Sequence, residues 1–533
     1  MSRKVEMAFL HEVLDENGLE ILDGRPVGIN LEFRETSASA TLIATYIPRV
    51  RTIHADVGTL CDKKVAESLV ERVKGPLLVS LSLSDKGTDL QCLSFLSRIG
   101  LYLSLRGRVT DGVIARISTL TNLRGLSVAG TAVTDMALTH LSALRHLEYL
   151  NFSRTAVSDA GISQIKNMTQ LKVLLLANTK VTVASLDVIS RFLGLRELDL
   201  SGTKALWSGM KQLRKLQELS RLTLRYTDVA DLHMASIGQL PRLEVLDVAY
   251  GKGITDKGMA PLKNLRHLRK LDLEGTRVTE WGVGELASVR SLEILSLRFL
   301  ALSIEALDSL GKLPSLTCLS LDNTGFGSKE IEVVTGFRKL RGLSLKGTMV
   351  DDAVFTKIAL MPTLQELDIS DTSITDLALK RLSVLKTLRR LNLSRTSVSK
   401  VGIGYLAGMS NLRELNLTRC KIDDAVMPML GALSGLRRLI LDDTVVSGSQ
   451  IKSLSSLKYL RTLSMNNTKI SDLELLSLKY LSLRKLYLDT PSVTCTGIKT
   501  LSSVLSSLLI IASCKEDEKK MHKTGGPGRG KYP

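Results

Sequence analysis

The sequence is poor in aromatic residues. Phe, Trp and Tyr make up 4% of the 533 residues, whereas hydrophobic residues make up 44%. The apolar content is therefore mostly leucine, with some valine and isoleucine. Such a uniform composition favours a core of stacked, nearly identical layers over several unrelated globular domains.

Cysteine and histidine are also scarce, with six and seven residues. The cysteines lie far apart, and neither a C-x-x-C pair nor an H-E-x-x-H motif occurs, so the spacing predicts no disulfide scaffold and no zinc site. We expect no catalytic residue, no metal and no cofactor, and hence a protein that is not an enzyme. Widely spaced cysteines also favour a reducing intracellular compartment, with the cytoplasm ahead of the nucleus.

Long apolar runs are absent as well. The longest, LSSVLSSLLIIASC at residues 501–514, is shorter than the roughly 20 residues that a membrane-spanning helix requires. The first residues, MSRKVEMAFLHEVLDENGLE, carry acidic side chains where a secretory signal needs an apolar segment. The sequence therefore predicts neither a membrane span nor a secretory signal.

The sequence has a repeat instead. The leucine that opens the pattern LxxLxL recurs sixteen times from Leu123 to Leu483, with every step 24 residues except one of 25 and one of 23. We number repeat positions from this leucine. Weaker copies lie at residues 50–55, 78–83, 101–105 and 505–510. We therefore predict an N-terminal cap at 1–75, a repeat solenoid at 76–510 and a disordered basic tail at 511–533.

The consensus LxxLxLxxTxVTDxGLxxLxxLxx contains two periodicities. Positions 4 and 6 alternate as in a short strand, and positions 16, 19 and 22 recur as in a short helix or 3₁₀ turn. This pattern predicts an α/β solenoid, curved into a horseshoe or arc, with a parallel β-sheet on the concave face and short helices or 3₁₀ turns on the convex face. The threonine at position 9 is expected to hydrogen-bond the backbone of the turn that leaves the strand.

Several segments carry a more specific pattern: AVTDMAL at 132–138, AVSDAGI at 156–162 and SITDLAL at 373–379. In these segments the chain resembles leucine-rich repeat proteins of the Thr/Cys type, known from the repeat arrays of F-box adaptors and from intracellular repeat proteins of trypanosome-like parasites. The resemblance implies a non-catalytic scaffold that binds a protein on its concave face. It leaves open, as an alternative, a substrate-recognition adaptor of a ubiquitin ligase, although residues 1–49 show no F-box-like helical signature.

The formal net charge is +18, and the repeats carry nearly all of it. Arginine occupies position 2 in the last five clear repeats, so stacking predicts a positive row on the concave face. Such a row can attract an acidic or phosphorylated protein or, as an alternative, nucleic acid, although few aromatic residues lie nearby for base stacking. The other explanation is a charged coat that keeps the sheet in solution. The candidate binding arginines are Arg389, Arg390, Arg413, Arg437, Arg438, Arg461 and Arg484.

Position 8 holds Tyr226, Tyr250 and Phe299 in the middle of the array, next to interruptions of the repeat at 203–209, 249–256 and 298–303. Exposed aromatic residues on a binding face are typical of interaction hot spots. We therefore predict these three residues as partner anchors. The alternative is that the rings pack beneath the irregular loops.

Overall fold

The computed structural model describes residues 100–513, apart from 205–209, 328–335 and 507, together with the backbone of five earlier strands. The chain divides into two compact units, Met1–Leu316 and Thr317–Pro533, called unit 1 and unit 2 below. Most of the predicted cap and residues 514–533 of the predicted tail lie outside the described residues.

In unit 1, the first three described strands pair antiparallel, and every later described strand pairs in parallel with its neighbour in sequence. The strands are Val13–Leu14, Leu19–Leu22, Arg25–Asn30, Thr52–Asp56, Leu77–Leu83, Leu101–Gly107, Leu123–Ser127, Tyr149–Asn151, Val173–Leu175, Glu197–Asp199, Arg221–Thr223, Val245–Asp247, Lys270–Asp272 and Ile294–Ser296.

Short helices alternate with these strands. The α-helices of unit 1 are Asp111–Ile117, Asp135–Leu141, Asp159–Gln164, Leu186–Ile189, Met210–Leu213, Asp231–Ile237, Glu280–Glu285 and Ile304–Gly311. The 3₁₀ helices are Val183–Ser185, Asp256–Gly258, Ala260–Asn264 and Leu286–Ser288.

Unit 2 continues the same alternation, again with parallel pairing of consecutive strands. Its strands are Cys318–Ser320, Gly342–Ser344, Glu366–Asp368, Arg390–Asn392, Glu414–Asn416, Arg438–Ile440, Thr462–Ser464, Lys485–Tyr487 and Leu509–Ile511. Its α-helices are Phe355–Ile358, Asp376–Leu382, Lys400–Tyr405, Met427–Gly431, Asp472–Leu475 and Cys495–Val504. Its 3₁₀ helices are Asp352–Val354, Leu406–Gly408, Asp424–Val426, Ile451–Ser456 and Leu476–Tyr480.

The register confirms the predicted α/β repeat fold. Leu367 pairs with Leu391, and Leu391 with Leu415, so equivalent positions of successive repeats stand side by side. The two irregular steps keep this register, as the pairings of Val245 with Lys270 and Thr462 with Lys485 show. Leucines at positions 1 and 4 and apolar residues at positions 6, 16, 19 and 22 form the buried core. Side chains at positions 2, 3, 5, 7 and 8 form the surface that we call the sheet face.

The threonines at position 9 confirm their expected structural role. Each donates a hydrogen bond from Oγ1 to the carbonyl oxygen three residues earlier, at 2.5–2.8 Å. All are buried, so water cannot replace this donor. They are Thr131, Thr155, Thr179, Thr203, Thr227, Thr276, Thr324, Thr348, Thr372, Thr396, Thr444 and Thr468.

We expect Thr372→Val to lower the free energy of unfolding by about 1–2 kcal/mol, because the Ile369 carbonyl loses a buried donor. The matched control is Thr356→Val. Thr356 makes the same type of bond to Ala353, but on an exposed helix surface where water can substitute. Urea denaturation of both variants tests the prediction, and equal losses would contradict it.

A second set of recurring hydrogen bonds, between adjacent repeats, explains the motif [TS]-D-x-[GA]. The aspartate at position 13 accepts two hydrogen bonds from the Thr or Ser at position 12 of the next repeat, from the backbone N at 2.7–3.1 Å and from Oγ at 2.5–2.7 Å. Burial acts upward on the pKa of Asp159, yet hydrogen bonds from Ser185 and Thr182 hold that pKa below its ordinary value. The aspartates are Asp111, Asp135, Asp159, Asp231, Asp256, Asp352, Asp376, Asp424 and Asp472.

The glycine at position 15 makes room for this carboxylate. A Cβ atom on Gly402 would lie 2.2 Å from Oδ1 of Asp376, and one on Gly161 would lie 2.4 Å from Oδ1 of Asp135. The motif that carries the family resemblance is therefore a clamp between adjacent repeats. The sequence showed its spacing but not this role.

Candidate functional site

The backbone at position 8 is left-handed in all fifteen repeats that open at Leu123 to Leu460. Its φ angle is 50–60° where the residue is not glycine and 63–70° where it is. Glycine or asparagine, which tolerate this conformation best, occupies seven of these positions. The others are Arg154, Tyr226, Tyr250, Phe299, Asp371, Arg395, Arg419 and Asp443.

The structure brings two of the three predicted anchors together. The rings of Tyr226 and Tyr250 stack with their centroids 4.4 Å apart and their planes 8° from parallel. Tyr226 remains 62% exposed, so its ring does not pack beneath an irregular loop. Tyr250 lies over Gly275, where a Cβ atom would approach its ring to 2.8 Å. The absence of a side chain at Gly275 thus leaves room for the Tyr250 ring of the stacked pair.

A cluster of carboxylates supports the stacked rings. Arg225 donates hydrogen bonds to Asp247 at 3.2 Å, Asp272 at 2.9 Å and Glu274 at 3.1 Å. Its guanidinium carbon lies 5.9 Å from the centroid of each tyrosine ring. The Tyr250 hydroxyl donates to Oε1 of Glu274 at 2.6 Å. Charge and aromatic surface are therefore fixed in one assembly on the sheet face of unit 1.

This assembly shifts the ionisation of its members. Burial, reinforced by the neighbouring charge of Asp272, raises the pKa of Asp247 to about 6 despite the contact with Arg225. The hydrogen bond to Glu274 raises the pKa of Tyr250. Burial acts upward on the pKa of Glu274, but the bonds from Tyr250 and Arg225 hold it below its ordinary value. Two carboxylates in one cluster thus have pKa values shifted in opposite directions, as is common at functional sites.

We expect this cluster to make stability fall as pH rises from 5 to 7. The pKa of Asp247 is raised on folding, so its protonated form stabilises the folded state, and that contribution is lost as pH rises through about 6. Wild type should lose about 1 kcal/mol more than Asp247→Asn over this interval. Urea denaturation of both proteins at the two pH values measures the difference. Parallel pH profiles would contradict the prediction.

Phe299 stands apart from the stacked pair. It is 49% exposed and lies at position 8, two repeats beyond Tyr250, with Gly275 in the repeat between them. The guanidinium of Arg298 lies 6.0 Å from its ring centroid. Phe299 is therefore a separate exposed aromatic side chain on the same sheet face.

In unit 2, the five arginines at position 2 form one row. From Arg413 to Arg484, the backbone N of each arginine donates to the carbonyl oxygen of the arginine before it, at 2.7–2.9 Å. Arg413 and Arg461 also donate from Nη1 to carbonyl oxygens of the turns beside them. Burial and the neighbouring charges of Arg484 and Arg437 lower the pKa of Arg461, as expected for a row of like charges.

The position-3 arginines belong to a different arrangement. Arg390 forms an ion pair with Glu366, and Glu414 stands in register between Arg390 and Arg438. At position 8, Arg395 pairs with Asp371 at 3.3 Å, and Arg419 pairs with Asp443 at 3.0 Å. Of the predicted arginines, Arg390 is thus compensated by an acidic partner, whereas no carboxylate among the described residues pairs with the five arginines at position 2.

The structure describes three of the cysteines, Cys318, Cys420 and Cys495. Cys318 and Cys420 are free, and burial raises the pKa of both thiols. Cys495 is disulfide-bonded, a pairing that its spacing did not predict and that a reducing compartment disfavours. Among the described residues, no group of His, Cys, Asp or Glu side chains could hold a metal ion. No helix in those same ranges is long and apolar enough to cross a membrane.

Two family models match the sequence. The first, described as a leucine-rich repeat region, matches residues 90–375. The second, described as a leucine rich repeat, matches residues 362–422. No curated protein sequence gives a significant match.

Several solved structures are also similar to this chain. An internalin (inlF) from Listeria monocytogenes is 22% identical, with a TM-score of 0.42 over 65% of this chain and 88% of that one. An LRR protein of Leptospira interrogans is 20% identical, with a TM-score of 0.38 over 81% and 95%. The TLR13–ssRNA13 complex is 18% identical, with a TM-score of 0.51 over 79% and 66%, a likeness of fold alone.

Proposed function

Since the chain belongs to the leucine-rich repeat family, we propose that it is a non-catalytic scaffold that binds a partner protein. Repeat proteins of this kind generally mediate protein–protein interaction through the extended surface that their stacked units create. The fold alone does not select a partner. The proposal therefore rests on the side chains that the repeat leaves free to vary.

The observation that carries the proposal is the stacked pair Tyr226 and Tyr250 on the sheet face of unit 1. Both rings stand at left-handed positions, where the backbone favours glycine or asparagine. An aromatic residue at such a position adds backbone strain. The fold does not require an aromatic residue there, because seven repeats have glycine or asparagine at the same position. Large, rigid and partly exposed rings are the side chains that most often anchor protein interfaces.

The surrounding charges make this anchor specific. Tyr250 is held by Glu274, and Arg225, whose guanidinium carbon lies 5.9 Å from each ring centroid, bridges three carboxylates. A partner that covers the rings also desolvates this network, so its own polar groups must match it. We assign Tyr226 and Tyr250 as the central anchor and Phe299 as a second contact.

Affinity capture from the native cell, followed by mass spectrometry, tests the proposal. Wild type and a variant that lacks both tyrosine rings are compared in parallel. A protein enriched by wild type and lost with the variant supports the proposal. Identical captured proteins from both would contradict it.

The ubiquitin-ligase adaptor stays a prediction, since it depends on residues 1–75, most of which lie outside the described residues. Co-purification of a ligase core with the full chain, and its loss on removal of that segment, would support it. The nucleic-acid alternative depends on unit 2.

A further inference from the structure

The arginine row of unit 2 belongs to a wider basic surface. In seven repeats, the opening leucine, the two residues before it and the one after it form the edge where the chain enters each strand; we call this surface the basic edge. It comprises residues 338–341, 362–365, 386–389, 410–413, 434–437, 458–461 and 481–484. These positions contain no acidic residue and ten basic ones: Arg338, Lys339, Arg341, Lys386, Arg389, Arg413, Arg437, Lys458, Arg461 and Arg484.

The same four positions in unit 1 show that the repeat does not require this charge. There, glutamates alternate with the basic residues and pair with them. Glu148 contacts Arg124 at 3.1 Å and Lys172 at 2.5 Å, and Arg269 contacts Glu293 at 2.8 Å. In the described part of unit 2, no ion pair joins a carboxylate to any of the ten basic side chains. The charge of the basic edge is therefore available to an external partner.

The basic edge is continuous. Backbone hydrogen bonds link position 2 of each repeat to the next, from Arg341 through Gln365 to Arg389 and onward to Arg484. Adjacent strands lie about 4.8 Å apart, so the six steps span roughly 29 Å. Arginine predominates over lysine, and its planar guanidinium suits paired hydrogen bonds to phosphate oxygens. The edge thus has the charge and the length that a polyanion-binding surface requires.

Two exposed tyrosines indicate the class of polyanion. Tyr459 is 61% exposed and lies within the basic edge, next to Lys458. Tyr480 is 51% exposed just before the last segment, with Nζ of Lys452 and of Lys479 5.4 and 5.3 Å from its ring centroid. Exposed rings beside a positive track are the stacking platforms of proteins that bind single-stranded nucleic acid.

A protein partner suits this surface less well. Protein interfaces have an apolar centre from which charge is depleted, whereas nucleic-acid interfaces are much more positively charged. We propose that the basic edge of unit 2 binds single-stranded nucleic acid, with phosphates on the arginines and bases on Tyr459 and Tyr480. This inference is independent of the proposed protein site, which lies in unit 1.

Fluorescence anisotropy with the full chain and a labelled oligouridylate of roughly 20 nucleotides tests the proposal. Contact with about four phosphates predicts a slope near −3 for the logarithm of affinity against the logarithm of salt concentration. Arg389→Ala with Arg437→Ala should reduce the magnitude of this slope by about 1.4 and weaken binding at least about tenfold at low salt. Arg413 and Arg461 are not substituted in this variant, because their side chains donate hydrogen bonds to carbonyl oxygens of the neighbouring turns and their loss would also affect folding.

The matched control is Arg196→Ala with Arg269→Ala, the same repeat position and charge change in unit 1, which should bind like wild type. Tyr459→Leu should weaken binding at least about fivefold, because one stacking platform is lost. The thermal midpoint of each variant verifies folding. Absence of binding at low salt, or equal loss in the control, would overturn the proposal. Displacement by polyglutamate at equal charge concentration would also overturn it and assign the edge to an acidic protein.

Discussion

Replacing Tyr226 and Tyr250 together by asparagine is expected to weaken binding of the partner protein by at least about 100-fold. Anchoring aromatic residues at interfaces each contribute about 2 kcal/mol or more, and stacked neighbours act as one unit. The free energy of unfolding should change by less than about 1 kcal/mol, since relief of left-handed strain offsets the lost ring stacking, and Glu274, which loses the Tyr250 donor, keeps its bond from Arg225. Calorimetric titration with the captured partner and urea denaturation give the two quantities.

Asparagine is the appropriate replacement because the protein itself uses it at this position, in Asn178, Asn323 and Asn467. Arg154→Asn is the matched control, with the same exposed, left-handed position in unit 1 but no ring. It should leave affinity and stability unchanged. An unaltered affinity in the tyrosine variant, or a large loss of stability, would show that the rings serve packing rather than binding.

The second large effect concerns the clamp between repeats. Asp376→Ala should lower the free energy of unfolding by about 2–4 kcal/mol. The carboxylate accepts bonds from N and Oγ of Ser399 at 2.7 and 2.5 Å, and its removal leaves both donors unmatched in a half-buried site. Hydrogen exchange at the start of the helix Lys400–Tyr405 should accelerate, because Ser399 caps that helix.

Lys400→Ala is the control for this prediction. Lys400 occupies position 13 in the next repeat, where no carboxylate is present to clamp the following turn. Its substitution should change stability by less than about 0.5 kcal/mol. Equal effects of the two variants, or unaltered exchange at Val401, would contradict the clamp.

The repeated part of the fold could be predicted because each feature recurs at a fixed spacing. Leu367, Leu391 and Leu415 are equivalent in the sequence and stand side by side in the sheet. The buried hydroxyl of Thr372 likewise follows from a short polar residue at the exit of a strand. Periodicity therefore determines what the core contains.

The individual features of the surface were harder to predict. The pairing of Arg390 with Glu366 depends on side chains 24 residues apart, although their shared position in adjacent repeats was a usable signal. The left-handed backbone at position 8 was recognisable in Gly202 and Asn178 but hidden where the residue is Tyr226. Tyr459 immediately precedes the opening leucine of its repeat, outside the strand positions, so the repeat pattern does not mark it as a surface aromatic residue.

Photo-crosslinking tests the central claim, a protein partner on the sheet face of unit 1, most directly. A photoreactive benzoylphenylalanine replaces Tyr226 in one sample and Trp281, which is 77% exposed in the helix Glu280–Glu285, in the other. Both samples are irradiated in native cells. We expect a protein adduct from position 226 and none from position 281. An adduct from position 281 alone, or equal adducts from both positions, would contradict the account.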